Sequence, residues 1–217
     1  MLLTWIDGED AEKILPTLKE TEQYTLGINA GELLRKIHSI PAPENQMPWS
    51  ERFNRKIDRK IFEYKNCGIK IPNDDKIFAY IAQNRCLIND RPQCFQHGDY
   101  HAGNMIITRN GELGVIDFNR LDYGDPWEEF NRIVWCADVS KHFASGRIDG
   151  YFGGYVPDEF FKLMALYIAS NQLSSVYWAI PFGQNEIDTM LKQASDMLNY
   201  YNDMINFVPK WYIGGSI

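Results

Sequence analysis

Asp99, Asn104 and Asp117 carry hard oxygen atoms at a spacing that suits phosphoryl transfer. That reaction needs a base to take the proton of an acceptor hydroxyl. It also needs a divalent cation to bridge the phosphate oxygens and offset their charge. Mg2+ favours oxygen ligands and usually takes only one or two carboxylates from the protein. Asp99 lies in a polar loop, His97-Gly98-Asp99-Tyr100-His101-Ala102-Gly103-Asn104, and can supply the base. Asn104, five residues on, offers an amide oxygen to a metal, and Asp117 offers a carboxylate. His97 braces the loop through hydrogen bonds and takes no part in the chemistry.

These residues work together only if the chain folds back between them. Met105–Thr108 reads as a strand, and Asn110-Gly111 is the dipeptide that most favours a tight hairpin. The returning strand, 113–116, ends at Asp117 and brings it towards Asn104. Upstream, Cys94-Phe95-Gln96 is a short strand-like approach. Downstream, Asp125 is an N-cap with Pro126 at the first helical position and Glu128 at the third, which predicts a helix to about Val139. The segment 1–20 reads as a short extended piece, an acidic turn and a loose helix. Further helices are expected from Gly27 to His38, from Trp49 to Lys65, from Asn73 or Asp74 to about Asn89, and near 142–152, 158–180 and 184–206. Ala30 and Gly31 would let the first of these pack closely on a neighbour. The fold class is mainly α with a small β-hairpin, an α+β arrangement, taken as one domain over 1–217.

The Asp-x-x-x-x-Asn spacing, the hairpin and Ile116-Asp117-Phe118 resemble the catalytic region of the protein-kinase-like fold. His-Gly-Asp in place of His-Arg-Asp, and Asn119 where protein kinases have glycine, are similar to the aminoglycoside phosphotransferase and choline kinase branch. Gly124-Asp125-Pro126-Trp127-Glu128-Glu129-Phe130 and Leu33-Leu34-Arg35-Lys36-Ile37-His38-Ser39-Ile40 also resemble segments of that branch. The resemblance implies a large C-terminal lobe with Asp99 as catalytic base, Asn104 and Asp117 as Mg2+ ligands, and His97 and Asp125 steadying the catalytic loop. It implies ATP or GTP as co-substrate and a small-molecule hydroxyl as acceptor. An aminoglycoside-like acceptor leads, as in antibiotic resistance; choline-like alcohols and macrolides stay open. Within 1–217, residues 1–10 resemble the hinge between lobes, where Leu3 and Trp5 would meet the nucleotide base. Residues 95–120 hold the catalytic loop and metal-binding hairpin, and 140–217 form a helical tail. No glycine-rich loop or strand lysine precedes the catalytic segment, so the N-terminal lobe is expected to be absent. A small-lobe docking face left exposed would favour self-association. The alternative is a noncatalytic remnant or binding module.

The composition fits this reading. The 217 residues are 45% hydrophobic and 14% aromatic, enough to bury a core. A formal charge of -7 disfavours nucleic acid and suits cationic or metal-bound ligands. No apolar run is long enough to span a membrane. Cys67, Cys86, Cys94 and Cys136 include no C-x-x-C pair, so reduced thiols and a cytoplasmic setting are expected. His97-x-Asp99-x-His101 read alone could ligate a hydrolase metal, but it leaves Asn104 and Asp117 without a part. His38 is expected to pack or cap and His142 to lie at the surface. Arg52, Arg55, Lys56, Arg59 and Lys60 read as a solvated helix face. Glu128, Glu129, Asp138, Asp149 and Glu159 are surface acids that could meet an aminated acceptor.

Overall fold

The computed structural model describes residues 5–214. In chain order the elements are β1 (Gly8–Asp10), α1 (Ala11–Ile14), α2 (Glu20–Ile37), α3 (Trp49–Asn66), α4 (Asp74–Asn84), β2 (Cys94–Gln96), β3 (Met105–Thr108), β4 (Leu113–Val115), β5 (Asp122–Gly124), α5 (Ile133–Val139), α6 (Lys141–Phe152), α7 (Asp158–Ala179) and α8 (Gln184–Tyr200). They group into two compact units. One comprises 1–42, 94–156 and 211–217; the other comprises 43–93 and 157–210.

The first unit is built on the pairing of α2 with α6. α2 begins at Glu20, seven residues before the expected start at Gly27. Glu22 accepts the backbone N–H of Lys19 at 2.9 Å, and the acids of the first turn and the bases of the last complement the helix dipole. Gly27 is therefore a packing residue rather than a helix start. A Cβ on it would lie 2.2 Å from the Phe143 carbonyl oxygen, and one on Gly31 would lie 2.2 Å from that of Arg147. The reciprocal glycines of α6 do the same, Gly146 against Tyr24 and Gly150 against Ile28, each at 2.2 Å. Two helices with glycines at i and i+4 thus approach backbone to backbone. Ser140 caps α6 by accepting the Phe143 N–H at 3.0 Å, and its hydroxyl donates to Gln23 on α2.

The hairpin β3–β4 forms with Met105 opposite Val115, but it is not alone. β1 pairs antiparallel with β3, Gly8 opposite Thr108, giving the order β1-β3-β4. β2 and β5 form a second antiparallel pair, Cys94 opposite Gly124. β2 falls on the short strand expected at Cys94–Gln96; β1 and β5, three residues each, are too short for an alternating pattern. The helix expected after Asp125 starts as a 3-10 segment over Pro126–Arg132 before α5. His142 is buried, against the surface position expected, because α6 packs on α2 and brings it 3.3 Å from Glu20.

The second unit centres on α7, which is apolar around most of its circumference and accordingly buried. α3 turns Trp49, Phe53, Ile57, Lys60 and Tyr64 inward, and the Trp49 indole N–H donates to the Tyr167 hydroxyl at 2.9 Å. Lys60 is thus buried, an exception to the solvated basic face; its ammonium reaches Asn171 at 3.5 Å. Asn73 stands before α4 at φ 60° and makes no side-chain cap, while Asp74 accepts from the Tyr64 hydroxyl at 3.0 Å. α4 tightens into a 3-10 turn at Arg85–Ile88. α8 stops at Tyr200 because Asn202, Asp203 and Met204 turn left-handed.

Candidate active site

His97, Asp99, Asn104, Asp117 and Asp125 all belong to the first unit. The loop between β2 and β3 is tied to the end of β4 by backbone and side chain together. The Ile116 N–H donates to the Asn104 carbonyl at 3.0 Å, which extends the ladder and sets Asp117 beside the loop. The His97 ring is fully buried. Its Nδ1 accepts the Asp99 N–H at 3.2 Å, so Nε2 carries the proton and donates to the Ile116 carbonyl at 2.9 Å. One ring thus spans the loop and the end of β4. Both its nitrogens are used, and His97, Asp99 and His101 do not converge as a ligand set.

Gly98 explains the residue between His97 and Asp99. Its φ is +83°, and a Cβ there would lie 1.8 Å from the Arg120 carbonyl oxygen. Only glycine fits where the loop meets the turn after β4. Asp117 also adopts a left-handed conformation, φ 63°, which aspartate tolerates better than most residues, and its carboxylate accepts the Asn119 N–H at 3.3 Å.

Asp99 faces two guanidinium groups and an imidazole. Arg132 Nη1 lies 2.5 Å from Oδ1, His101 Nε2 lies 3.4 Å from the same oxygen, and Arg120 Nε lies 3.6 Å from Oδ2. Burial pushes the carboxyl pKa up, but the nearby His101 ring and the charges of Arg132 and Arg120 outweigh it, and the net shift is downward. Asp99 is therefore ionised at neutral pH and able to accept a proton.

Asn104 donates from Nδ2 to the Asp99 carbonyl at 2.9 Å, which commits its nitrogen end and leaves the oxygen end for a ligand. Asp117 is exposed. No group of three or more His, Cys, Asp or Glu side chains among the described residues could hold a metal. An amide oxygen and one carboxylate instead match the sparse protein shell of Mg2+ beside phosphates.

Asp125 is fully buried. Its Oδ1 accepts the Trp127 N–H at 3.0 Å, and its carbonyl accepts from Gln96 of β2 at 2.8 Å. Of the hinge-like pair, Leu3 lies outside the described residues and Trp5 is 90% exposed.

Sequence reasoning missed the parts played by Glu129, Arg147 and Arg132, whereas His38 packs as expected. Glu129 is not a surface acid: it is buried and accepts the backbone N–H groups of His97 at 2.6 Å and Gly98 at 2.8 Å. His38, buried and hydrogen-bonded to Tyr151, lies 3.6 Å from the same carboxylate. Arg147, fully buried, donates to the carbonyls of Tyr100 at 2.8 Å and Glu129 at 3.1 Å, with its guanidinium over the rings of Tyr100 and Phe130. Arg132 pairs with Asp99. The available signal for Arg147 was an arginine between the packing glycines of an otherwise inward-facing helix.

The chain matches the phosphotransferase enzyme family, APH, over residues 1–161. Comparison with curated proteins finds no match. Among solved structures, a choline/ethanolamine kinase family protein from Mesorhizobium loti superposes with a TM-score of 0.67 at 15% identity, over 94% of this chain and 70% of its own. Aminoglycoside 2'-phosphotransferase-IIIa, solved with GDP, gives 0.66 at 14% identity over 89% and 68%. The gentamicin complex of APH(2")-IIa gives 0.55 at 24% identity over 94% and 71%. At these identities the likeness establishes the fold, which is kinase-like and mostly helical with small antiparallel sheets.

Proposed function

The chain belongs to the phosphotransferase enzyme family, and from that premise we propose that it transfers the γ-phosphate of a nucleoside triphosphate to a hydroxyl of a small molecule. The observation that carries this reading is the joined loop and hairpin. Asn104 is bonded to Asp99 through its side chain and to Ile116 through its backbone, so a base and two oxygen ligands stand on one rigid path.

In the proposed reaction the acceptor hydroxyl lies against the Asp99 carboxylate. Its oxygen bonds to the γ-phosphorus while its proton passes to Asp99. The bond from that phosphorus to the bridging oxygen breaks, and nucleoside diphosphate leaves. Asn104 and Asp117 would hold Mg2+, which when bound offsets the charge of the phosphate oxygens. His97 and Glu129 keep the loop backbone in place, and Asp125 fixes the segment that carries Glu129. Gly8–Asp10 of β1 pair with β3 of the hairpin.

Relatives in complex with GDP and with streptomycin and ATP support a purine nucleoside triphosphate, ATP or GTP. Relatives in complex with gentamicin and kanamycin support an amino-sugar hydroxyl as the leading acceptor. A cationic acceptor also suits the net charge of -7. Free cysteines at all four positions suit a reducing cytoplasm.

The test is transfer from Mg·ATP and Mg·GTP to aminoglycosides, choline and macrolides, with Asp99→Asn beside the parent chain. The substitution is expected to lower turnover about 10²–10⁴-fold with the circular dichroism spectrum unchanged. Turnover retained in Asp99→Asn would remove Asp99 as the base.

A further inference from the structure

We propose that Arg132 is a positioning residue for Asp99: it holds Oδ1 of the carboxylate and so leaves Oδ2 as the atom that takes the acceptor's proton. The proposal rests on the phosphotransfer reading above.

The two carboxylate oxygens have different surroundings. Oδ1 lies within ion-pair distance of two side chains anchored in the protein, though neither makes an aligned hydrogen bond to it. Arg132 Nη1 is 2.5 Å away on a side chain that is 20% exposed, and His101 Nε2 is 3.4 Å away on one that is 19% exposed. The His101 Nδ1 accepts the Gly103 N–H at 3.1 Å, so its proton sits on Nε2, the nitrogen that faces Asp99. Among the described residues, Oδ2 pairs with Arg120, 3.6 Å away on a side chain that is 59% exposed. An entering hydroxyl can displace that long, solvated contact far more readily than a short, shielded one.

Trp135 locks the arrangement. The Arg132 guanidinium lies 5.0 Å from the Trp135 ring centroid, and the same indole meets the His101 ring edge-on with centroids 5.0 Å apart. One aromatic side chain thus backs both groups beside Oδ1. Burial lowers the Arg132 pKa, against the favourable charges of Asp99, Glu128 and Glu129. A planar guanidinium stacked on an indole is held in orientation as well as position, which a lysine ammonium would not be. Fixing one carboxylate oxygen removes rotation that would otherwise average the base between two faces, and base geometry is what a phosphotransferase of this kind contributes to the rate.

Two measurements on the full chain test this. The first needs no acceptor. In nitrogen-15 spectra, the Arg132 guanidinium should show slowed rotation with resolved N–H signals, and these should collapse in Asp99→Ala. Signals equally averaged in both proteins would overturn the proposal. The second is turnover. Arg132→Gln should lower kcat about 100-fold while the nucleotide KM moves less than about 3-fold, and Arg132→Lys should recover about a tenth of the parent rate. A raised KM with unchanged kcat, or parent-like kcat in a folded Arg132→Gln, would overturn it. Turnover that survives in Asp99→Ala would remove Asp99 as the base and overturn the proposal with it; no transfer by the parent chain would instead refute the phosphotransfer reading, and the guanidinium signals would still decide the pairing.

Discussion

Glu129 and Arg147 show how much of a catalytic loop's geometry is set by residues that do no chemistry. The buried Glu129 carboxylate takes two loop N–H groups that water cannot reach, and Arg147 satisfies the carbonyls of Tyr100 and Glu129 from beneath. Truncating either would leave several buried polar groups unpaired at once. The same burial controls the thiols. Cys94 is pushed up to about 12 by desolvation, with Asp125 and Glu129 adding to the effect, and Cys136 is raised chiefly by burial. At pH 8 only about one Cys94 in ten thousand is then thiolate. Alkylation of the native chain followed by peptide mapping should therefore label exposed Cys86 first and half-buried Cys67 more slowly. Cys94 and Cys136 should react only after unfolding. Prompt labelling of Cys94 would contradict the buried β2–β5 pairing. At this scale the sequence was legible where chemistry dictates residue type. Asp99, Asn104 and Asp117 stand out by spacing, and Gly98 by its place in the loop. It was illegible where a partner comes from far along the chain. Nothing local separates a buried Glu129 from a solvated one, or marks Arg132 as the partner of a residue 33 positions earlier.

Among the elements, the hairpin could be read because its signal is local, Asn-Gly at the turn; the structure shows further local signals in Ser140 and Gly153 bounding α6 and the buried stripe of α3. The start of α2 could not be read, since Gly27 looks like a break until α6 is seen against it. This gives a prediction in which two effects of opposite sign compete. Replacing a mid-helix glycine by alanine gains about 1 kcal/mol of helix propensity. At Gly27 or Gly146 the new methyl would meet a backbone carbonyl at 2.2 Å, and forced overpacking costs typically about 1–3 kcal/mol or more. The clash should win. Gly27→Ala and Gly146→Ala are each expected to lower stability by about 1–2 kcal/mol in urea unfolding. A gain in stability from either would mean that the helices do not touch backbone to backbone. The strand β5 was hidden for another reason: its three-residue run is stabilised by its partner β2, which was legible at Cys94–Gln96, and not by pattern.

At the scale of the whole molecule, family membership and a kinase-like fold follow from matches that span most of the chain. The proposed metal-binding part of the site rests on its own geometry. Asp117 at the strand end and Asn104 on the loop are brought together by one backbone hydrogen bond, within a protein of net charge -7 to which a bare polyphosphate would be drawn weakly. Nucleotide affinity should therefore depend on the cation and on the residues that hold it. Calorimetric titration of ATP and GTP into the 217-residue chain, with and without Mg2+ and beside Asp117→Ala, tests this most directly. The account predicts nucleotide binding that requires both Mg2+ and Asp117. Binding that persists undiminished without the cation or in Asp117→Ala, or no binding at millimolar nucleotide with Mg2+ present, would contradict it.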